Sequence, residues 1–203
     1  MSRSSAHLHG NVLAAVDVET TGLDPENHEI WQIAILPLDS NITPSKTQDP
    51  FYMDLKITDF SKREKNALSV SPIDFAERQL KALDPYTVAD LLEEWYIRLN
   101  LPVGRRLVPL AHNWPFDRHF IIKWIGTLSF EFIFHPHYRD SMAAAMFIKD
   151  RCDWKSEPQP FKRASLSQLC MDFGVNNLRP HDALQDCMAT AEVYRRLLKY
   201  HLP

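Results

Sequence analysis

The run Val12-Leu13-Ala14-Ala15-Val16 is apolar without a break, and it ends in Asp17-Val18-Glu19. Such a run reads as a buried strand. Side chains on a strand alternate with period two, so Asp17 and Glu19 share one face, a few ångströms apart. Two like charges at the end of an apolar strand repel each other unless a cation sits between them. Oxygen-only clusters of this kind suit Mg²⁺ or Mn²⁺ rather than zinc. One strand is thus a core element and half of a candidate metal site.

Composition narrows the setting. A chain of 203 residues, 45% hydrophobic, can bury one substantial core, and a single domain over 11–203 is expected behind a disordered lead-in at 1–10. The net charge of −3 argues against gripping long duplexes by electrostatics alone. It still permits a nucleic-acid enzyme whose negative site charge is offset by metal. Cys152, Cys170 and Cys187 are odd in number and lack CxxC spacing, which predicts reduced thiols in a cytoplasmic protein. The first ten residues contain no apolar h-region, so no signal peptide is expected, and no apolar run is long enough for a membrane span.

Along the chain, the pattern predicts strands at about 12–19, 29–38 and 51–57, in antiparallel succession. After strand one, Thr20-Thr21-Gly22-Leu23-Asp24-Pro25 reads as a turn in which Gly22 can take positive φ. Residues 58–87 read as irregular. Val88, Leu91, Leu92, Trp95 and Leu99 recur at helical spacing, placing a helix at 88–99. A strand at 107–111, a helix at 114–125, a fifth strand at 130–134 and a helix at 141–148 follow. The stretch 149–164 reads as a long loop, and helices at 165–173 and 183–200 close the chain. The expected fold is α/β, a mixed five-stranded sheet with helices on both faces. In such sheets the site collects at strand ends, where Glu19 and residues 111–113 fall.

Two further clusters supply the missing chemistry. In His112-Asn113-Trp114-Pro115-Phe116-Asp117, Asn113 is an N-cap candidate, and Asp117 lies one turn into the helix, aimed back at the sheet edge. Alone, Asp117 reads as a complement to the helix dipole. In His181-Asp182-Ala183-Leu184-Gln185-Asp186, Asp182 with Gln185 resembles a capping box. His181 is therefore left on a loop, while Asp186 is fixed inside the helix. A fixed carboxylate beside a movable imidazole suits hydrolysis, since histidine can take a proton from water near neutral pH. Taken together, the clusters read as a metal-dependent phosphodiester hydrolase.

Over residues 11–200 these motifs resemble the DEDDh family of 3′–5′ exonucleases. Val16-Asp17-Val18-Glu19-Thr20-Thr21-Gly22-Leu23-Asp24 is similar to its first motif, His112-Asn113 with Phe116-Asp117 to its second, and His181 with Ala183-Leu184 and Asp186 to its third. The resemblance implies a ribonuclease H-like fold, with Asp17, Glu19, Asp117 and Asp186 holding two Mg²⁺ (or Mn²⁺) ions and His181 as general base. It also implies that Thr20, Thr21, Gly22 and Leu23 meet the terminal nucleotide, that Phe116 stacks near the last base, and that Asn113 approaches the strand. Simple core packing is an equal reading for Phe116. One departure is Gln32, where relatives in the proofreading branch commonly carry an acidic residue.

The expected partner is a nucleic-acid 3′ end, with single-stranded DNA favoured because Val18-Glu19-Thr20-Thr21-Gly22 leans toward the DNA-directed branch. Two alternatives stay open: an RNA-directed exonuclease similar to ribonuclease T or oligoribonuclease, and a catalytically silent polymerase accessory or binding module. The intact acidic residues and His181 argue against silence. Elsewhere, His135 and His137 read as solvated loop residues, and Asp140 as the cap of the helix at 141. Arg151, Trp154, Lys155, Lys162 and Arg163 form either an ordinary polar loop or a single-strand contact.

Overall fold

The computed structural model describes residues 8–62, 64 and 75–200. Five strands, β1 (Val12–Thr20), β2 (Ile30–Pro37), β3 (Phe51–Asp54), β4 (Leu107–Ala111) and β5 (Arg139–Asp140), form one sheet in the order β3-β2-β1-β4-β5. The first three strands pair antiparallel, while β4 lies parallel to both β1 and β5. The helices are α1 (Phe75–Lys81), α2 (Pro85–Arg98), α3 (Trp114–Ile133), α4 (Ser141–Lys155), α5 (Leu166–Phe173) and α6 (Ala183–Leu198). No helix among the described residues is long and apolar enough to cross a membrane.

Period-two alternation in β1 divides the core. Ala14, Val16 and Val18 face one way and join residues of α2 and α3, including Leu92, Trp95, Phe120 and Ile121. Leu13 and Ala15 face the other way and pack with Ala34, Leu36 and residues Ala183, Cys187 and Ala191 of α6. The helices therefore cover both faces, as the pattern predicts. Alanines along α6 remove side-chain bulk, so its axis can approach β1 and β2 closely. Asp17 and Glu19 continue the series of Leu13 and Ala15, on the side of the sheet that α6 covers.

Several expected elements change. The fifth strand is not 130–134. Gly126 breaks the helical geometry (φ 79°, ψ 161°), and α3 then resumes to Ile133, with Phe130 and the following Phe134 packed on Trp114 and all of Phe130, Ile133 and Phe134 buried. An aromatic run satisfies a buried helix face and a strand equally well, and here packing on Trp114 decides. The sheet edge is instead the two-residue β5. The helix predicted at 141–148 runs on to Lys155, so the first part of the expected loop is helical. Of the stretch read as irregular, 60–62 form a 3₁₀ turn, α1 begins at Phe75, and α2 starts at Pro85 behind an Asp84 cap; 65–74 lie outside the described residues. Of the expected lead-in, residues 1–7 lie outside them too, but Leu8 is buried and joins the core under α6.

Candidate active site

The site lies where β1 and β4 end and where α3 and α6 begin. The register opposes Asp17 to Ala34 and Glu19 to Gln32, and the pairing of β1 with β2 then slips between Glu19 and Thr20. From α3, buried Asp117 turns back to β1, where its Oδ1 accepts the Val18 N–H at 3.0 Å. From α6, Asp186 accepts the His181 N–H on Oδ2 at 3.1 Å and the side-chain amide of Asn177 on Oδ1 at 2.5 Å. His181 stands outside the helix in the left-handed region (φ 65°). Ligand atoms of Glu19, His181 and Asp186 all lie within 4.8 Å of one another.

This crowding shows in the acidity of the groups. Burial, then the neighbouring Glu19, Asp186, Asp117 and Asp182, push the Asp17 carboxyl well above its ordinary range. Burial, then Asp186, Asp117 and Asp182, push Glu19 up to about 8. Burial also raises Asp117 and Asp186, although each accepts hydrogen bonds that favour its charged form. Among the described residues, no lysine or arginine pairs with any of these four carboxylates, whereas Asp182 just behind them is met by Arg78. Of the four predicted carboxylates, Glu19 and Asp186 meet the His181 imidazole at ligand distance, while Asp17 and Asp117 stand outside that group but close enough to raise the acid groups around them; such a carboxylate-rich donor set fits hard divalent cations.

The helix starts are capped differently. Asp182 accepts the Gln185 N–H at 3.2 Å, the cap its spacing predicts. Asn113, expected to cap α3, instead takes a left-handed conformation (φ 76°) and makes no side-chain cap bond. Its role falls to Asp140, whose two oxygens accept the N–H groups of Asn113 and Trp114. Asp140 also caps α4, as expected, by accepting from Met142 and Ala143. The Asn113 side chain is thereby left exposed.

The turn after β1 is partly scaffold. Thr21 is buried, and its hydroxyl accepts the Glu29 N–H, while Thr20 donates to the Gly22 carbonyl. Gly22 does not take positive φ; its place is set by close approach, because a Cβ there would lie 2.4 Å from the His28 ring, which would have to move. Leu23 is 73% exposed. Phe116 is half-buried, with its ring 5.0 Å from that of Phe120, so it combines core packing with an accessible edge.

The motif spacing does not reach Asn177, His28, Asp140 in its second role, or a polar group behind α6. In that group Gln32, fully buried, accepts the Ala183 N–H at 2.8 Å and donates to Asp54 at 2.7 Å. An amide inside the otherwise apolar strand 30–37 was the available signal, because a buried polar group needs partners. His135 and His137 form no metal cluster among the described residues. Trp154 is 86% exposed, and Arg151 and Lys155 are exposed beside it on α4.

The family model RNase_T, described as exonuclease, matches residues 14–194. No curated protein matches the sequence. Among solved structures, E. coli exonuclease I in complex with a dT13 oligonucleotide superimposes with a TM-score of 0.67 at 18% identity, covering 92% of this chain and 40% of that one. Cell-death related nuclease 4 gives 0.68 at 18%, covering 93% and 64%. A 3′-exonuclease that recognises the histone mRNA stem-loop gives 0.66 at 15%, covering 94% and 64%. This chain therefore spans about two fifths of exonuclease I and under two thirds of the other two. These likenesses establish the fold, a ribonuclease H-like mixed sheet.

Proposed function

The chain belongs to the RNase_T exonuclease family and is a nuclease, and from that premise we propose that it is a divalent-metal-dependent 3′–5′ exonuclease. Its favoured substrate is single-stranded DNA, and its product the nucleoside 5′-monophosphate. The observation that carries this reading is the convergence of Glu19, His181 and Asp186 within 4.8 Å, beside Asp17 and Asp117, with no cationic side chain paired to the four carboxylates among the described residues. Asp17, Glu19, Asp117 and Asp186 would hold two Mg²⁺ or Mn²⁺ ions, which when bound supply Lewis acidity at the scissile phosphate and neutralise charge developing there.

The remaining steps belong to the chain. His181, outside α6 and beside Asp186, takes the proton of the attacking water as the water oxygen bonds to phosphorus. The bond from phosphorus to the 3′ oxygen breaks, and that oxygen leaves with a proton from solvent. Exposed Leu23 wedges against the terminal base, Phe116 supports it, and the backbone of Thr20, Thr21 and Gly22 lines the sugar side. The exposed amide of Asn113 meets the incoming strand. Polarity follows from the family, and the lean toward DNA from the wording of the first motif. Buried, free Cys152, Cys170 and Cys187 support a reducing, cytoplasmic setting.

The test is digestion of end-labelled single-stranded DNA, duplex DNA and RNA with Mg²⁺, Mn²⁺ or chelator. Stepwise mononucleotide release from DNA 3′ ends, abolished by chelator, is expected. Exclusive degradation of RNA would reassign the substrate, and metal-independent cleavage would overturn the mechanism.

A further inference from the structure

We infer that Arg78 is a positioning residue, clamping Asp182 so that the left-handed backbone of His181 holds its imidazole over the site. The inference rests on the proposed role of His181 as base.

The clamp is built from four elements. From α1, Arg78 Nη1 donates to both oxygens of Asp54 on β3, at 2.8 and 2.9 Å. Its Nη2 donates to the Tyr52 hydroxyl at 3.0 Å and to Asp182 Oδ2 at 3.2 Å. Tyr52 also donates to Asp182 Oδ2, at 2.7 Å. Burial raises the Tyr52 hydroxyl to about 12, so it remains a donor through the working range. Gln32 joins Asp54 to the Ala183 N–H. Asp182 is 1% exposed, and Arg78 is its cation.

Arg78 itself is held firmly. Beside it, the buried side chain of Gln79 accepts the Ile57 N–H at 2.9 Å and donates to the Leu55 carbonyl at 3.0 Å. A glutamine thereby completes the hydrogen bonding of the chain just past β3 and docks α1 on it.

The consequence falls on His181. A non-glycine residue stays at φ 65° only when its neighbours hold it there. On one side the hold is the bond from the His181 N–H to Asp186. On the other it is Asp182, whose carboxylate is set by Arg78 and Tyr52. Asp186 has a second anchor in Asn177, so loosening Asp182 moves the imidazole more than the carboxylate.

A lysine at position 78 keeps the charge but is a single point, unable to span Asp54, Tyr52 and Asp182 together. Single-turnover cleavage at saturating Mg²⁺ should show Arg78→Lys slowed by about tenfold, with KM and the Mg²⁺ dependence nearly unchanged. Tyr52→Phe, which keeps the ring, should show a smaller loss of the same kind, and it carries the test if Arg78→Lys fails to fold. In a His181→Ala background either change should alter the rate by less than about twofold, because the path through the imidazole is gone. Equal losses in both backgrounds, or no loss in the wild type, would overturn the inference and leave the proposed base intact. A His181→Ala enzyme of normal rate would instead remove the base itself, and the clamp's role with it.

Discussion

The starts of α3 and α6 are built to one plan and held by different means. Each follows a residue in the left-handed region, Asn113 at φ 76° and His181 at φ 65°, and each presents a buried aspartate in its first turn. At α3 the hold is external: Asp140 supplies the cap, and Asp117 is tied to the backbone of β1. At α6 the hold is a side-chain network running from Asp182 through Tyr52 and Arg78, while Asp186 rests on Asn177 and the His181 N–H. A carboxylate fixed to a central strand is rigid by construction. Asp186 is held instead by one side-chain amide and by the backbone N–H of a left-handed residue, neither of them part of the sheet.

The largest effect expected from breaking either start is loss of metal. Asp117→Ala and Asp186→Ala should each reduce cleavage by about 10³-fold or more, since Lewis-acid stabilisation is worth several kcal/mol and each 1.36 kcal/mol is tenfold. Their stabilities should diverge. Asp117→Ala leaves the buried Val18 N–H without its partner, costing about 1–3 kcal/mol against the charge repulsion it relieves. Melting curves in chelator, beside the cleavage rates, check both halves, and full activity in either variant would remove that residue from the site.

The left-handed residues come next. His181→Ala should bind an oligonucleotide normally but cleave about 10²–10⁴-fold more slowly at neutral pH, recovering partly as pH rises. Asn113→Ala should weaken binding by no more than about tenfold, the worth of one hydrogen bond. Single-turnover rates against pH for both variants measure the difference, and similar pH profiles would erase the distinction between the two starts.

The shared carboxylate cluster gives a pH dependence of stability. Glu19 titrates near 8 in the folded, metal-free protein against an ordinary 4.5, so the fold binds extra protons between those values. Metal-free stability is therefore highest below about pH 4.5 with respect to this group and falls as pH rises through about 8. Asp17, Asp117 and Asp186 shift in the same direction. Thermal melts from pH 5 to 9 should show a decline that Mg²⁺ reverses and Glu19→Gln flattens. A stability that rises with pH in chelator would mean the carboxylates are compensated by the protein. The smallest effect is at the α3 cap, where Asp140→Ala should cost about 1–2 kcal/mol by removing caps from two helices. The same loss read by hydrogen exchange should fall on the starts of α3 and α4 and spare α6.

Sequence reading reached the parts of this site that depend on local geometry. Alternation along β1 placed Asp17 and Glu19 on one face, and the spacing of Asp182 and Gln185 placed the start of α6, with His181 outside it. The Asp140 cap of α4 was legible for the same reason. These features repeat over two to four residues, because backbone dihedrals alone fix the direction of neighbouring side chains. The run 130–134 misled because its burial satisfies two periods at once, and Gly22 because a glycine signals positive φ and close approach alike.

What only the tertiary structure decided is which distant groups meet. Gln32 bonds to Ala183 across 151 residues, Arg78 reaches Asp182 across 104, and Asp140 caps a helix that begins 26 residues earlier. No local pattern marks such pairs. The first two form because the sheet order brings β3, β2 and the end of β1 beneath one end of α6, and the third because β5 pairs with β4 beside the start of α3; polar groups buried in each layer must find partners there. The chemistry of the site was set by residues whose types and order could be read along the chain. The aim of that chemistry depends on contacts that exist only once the layers have packed.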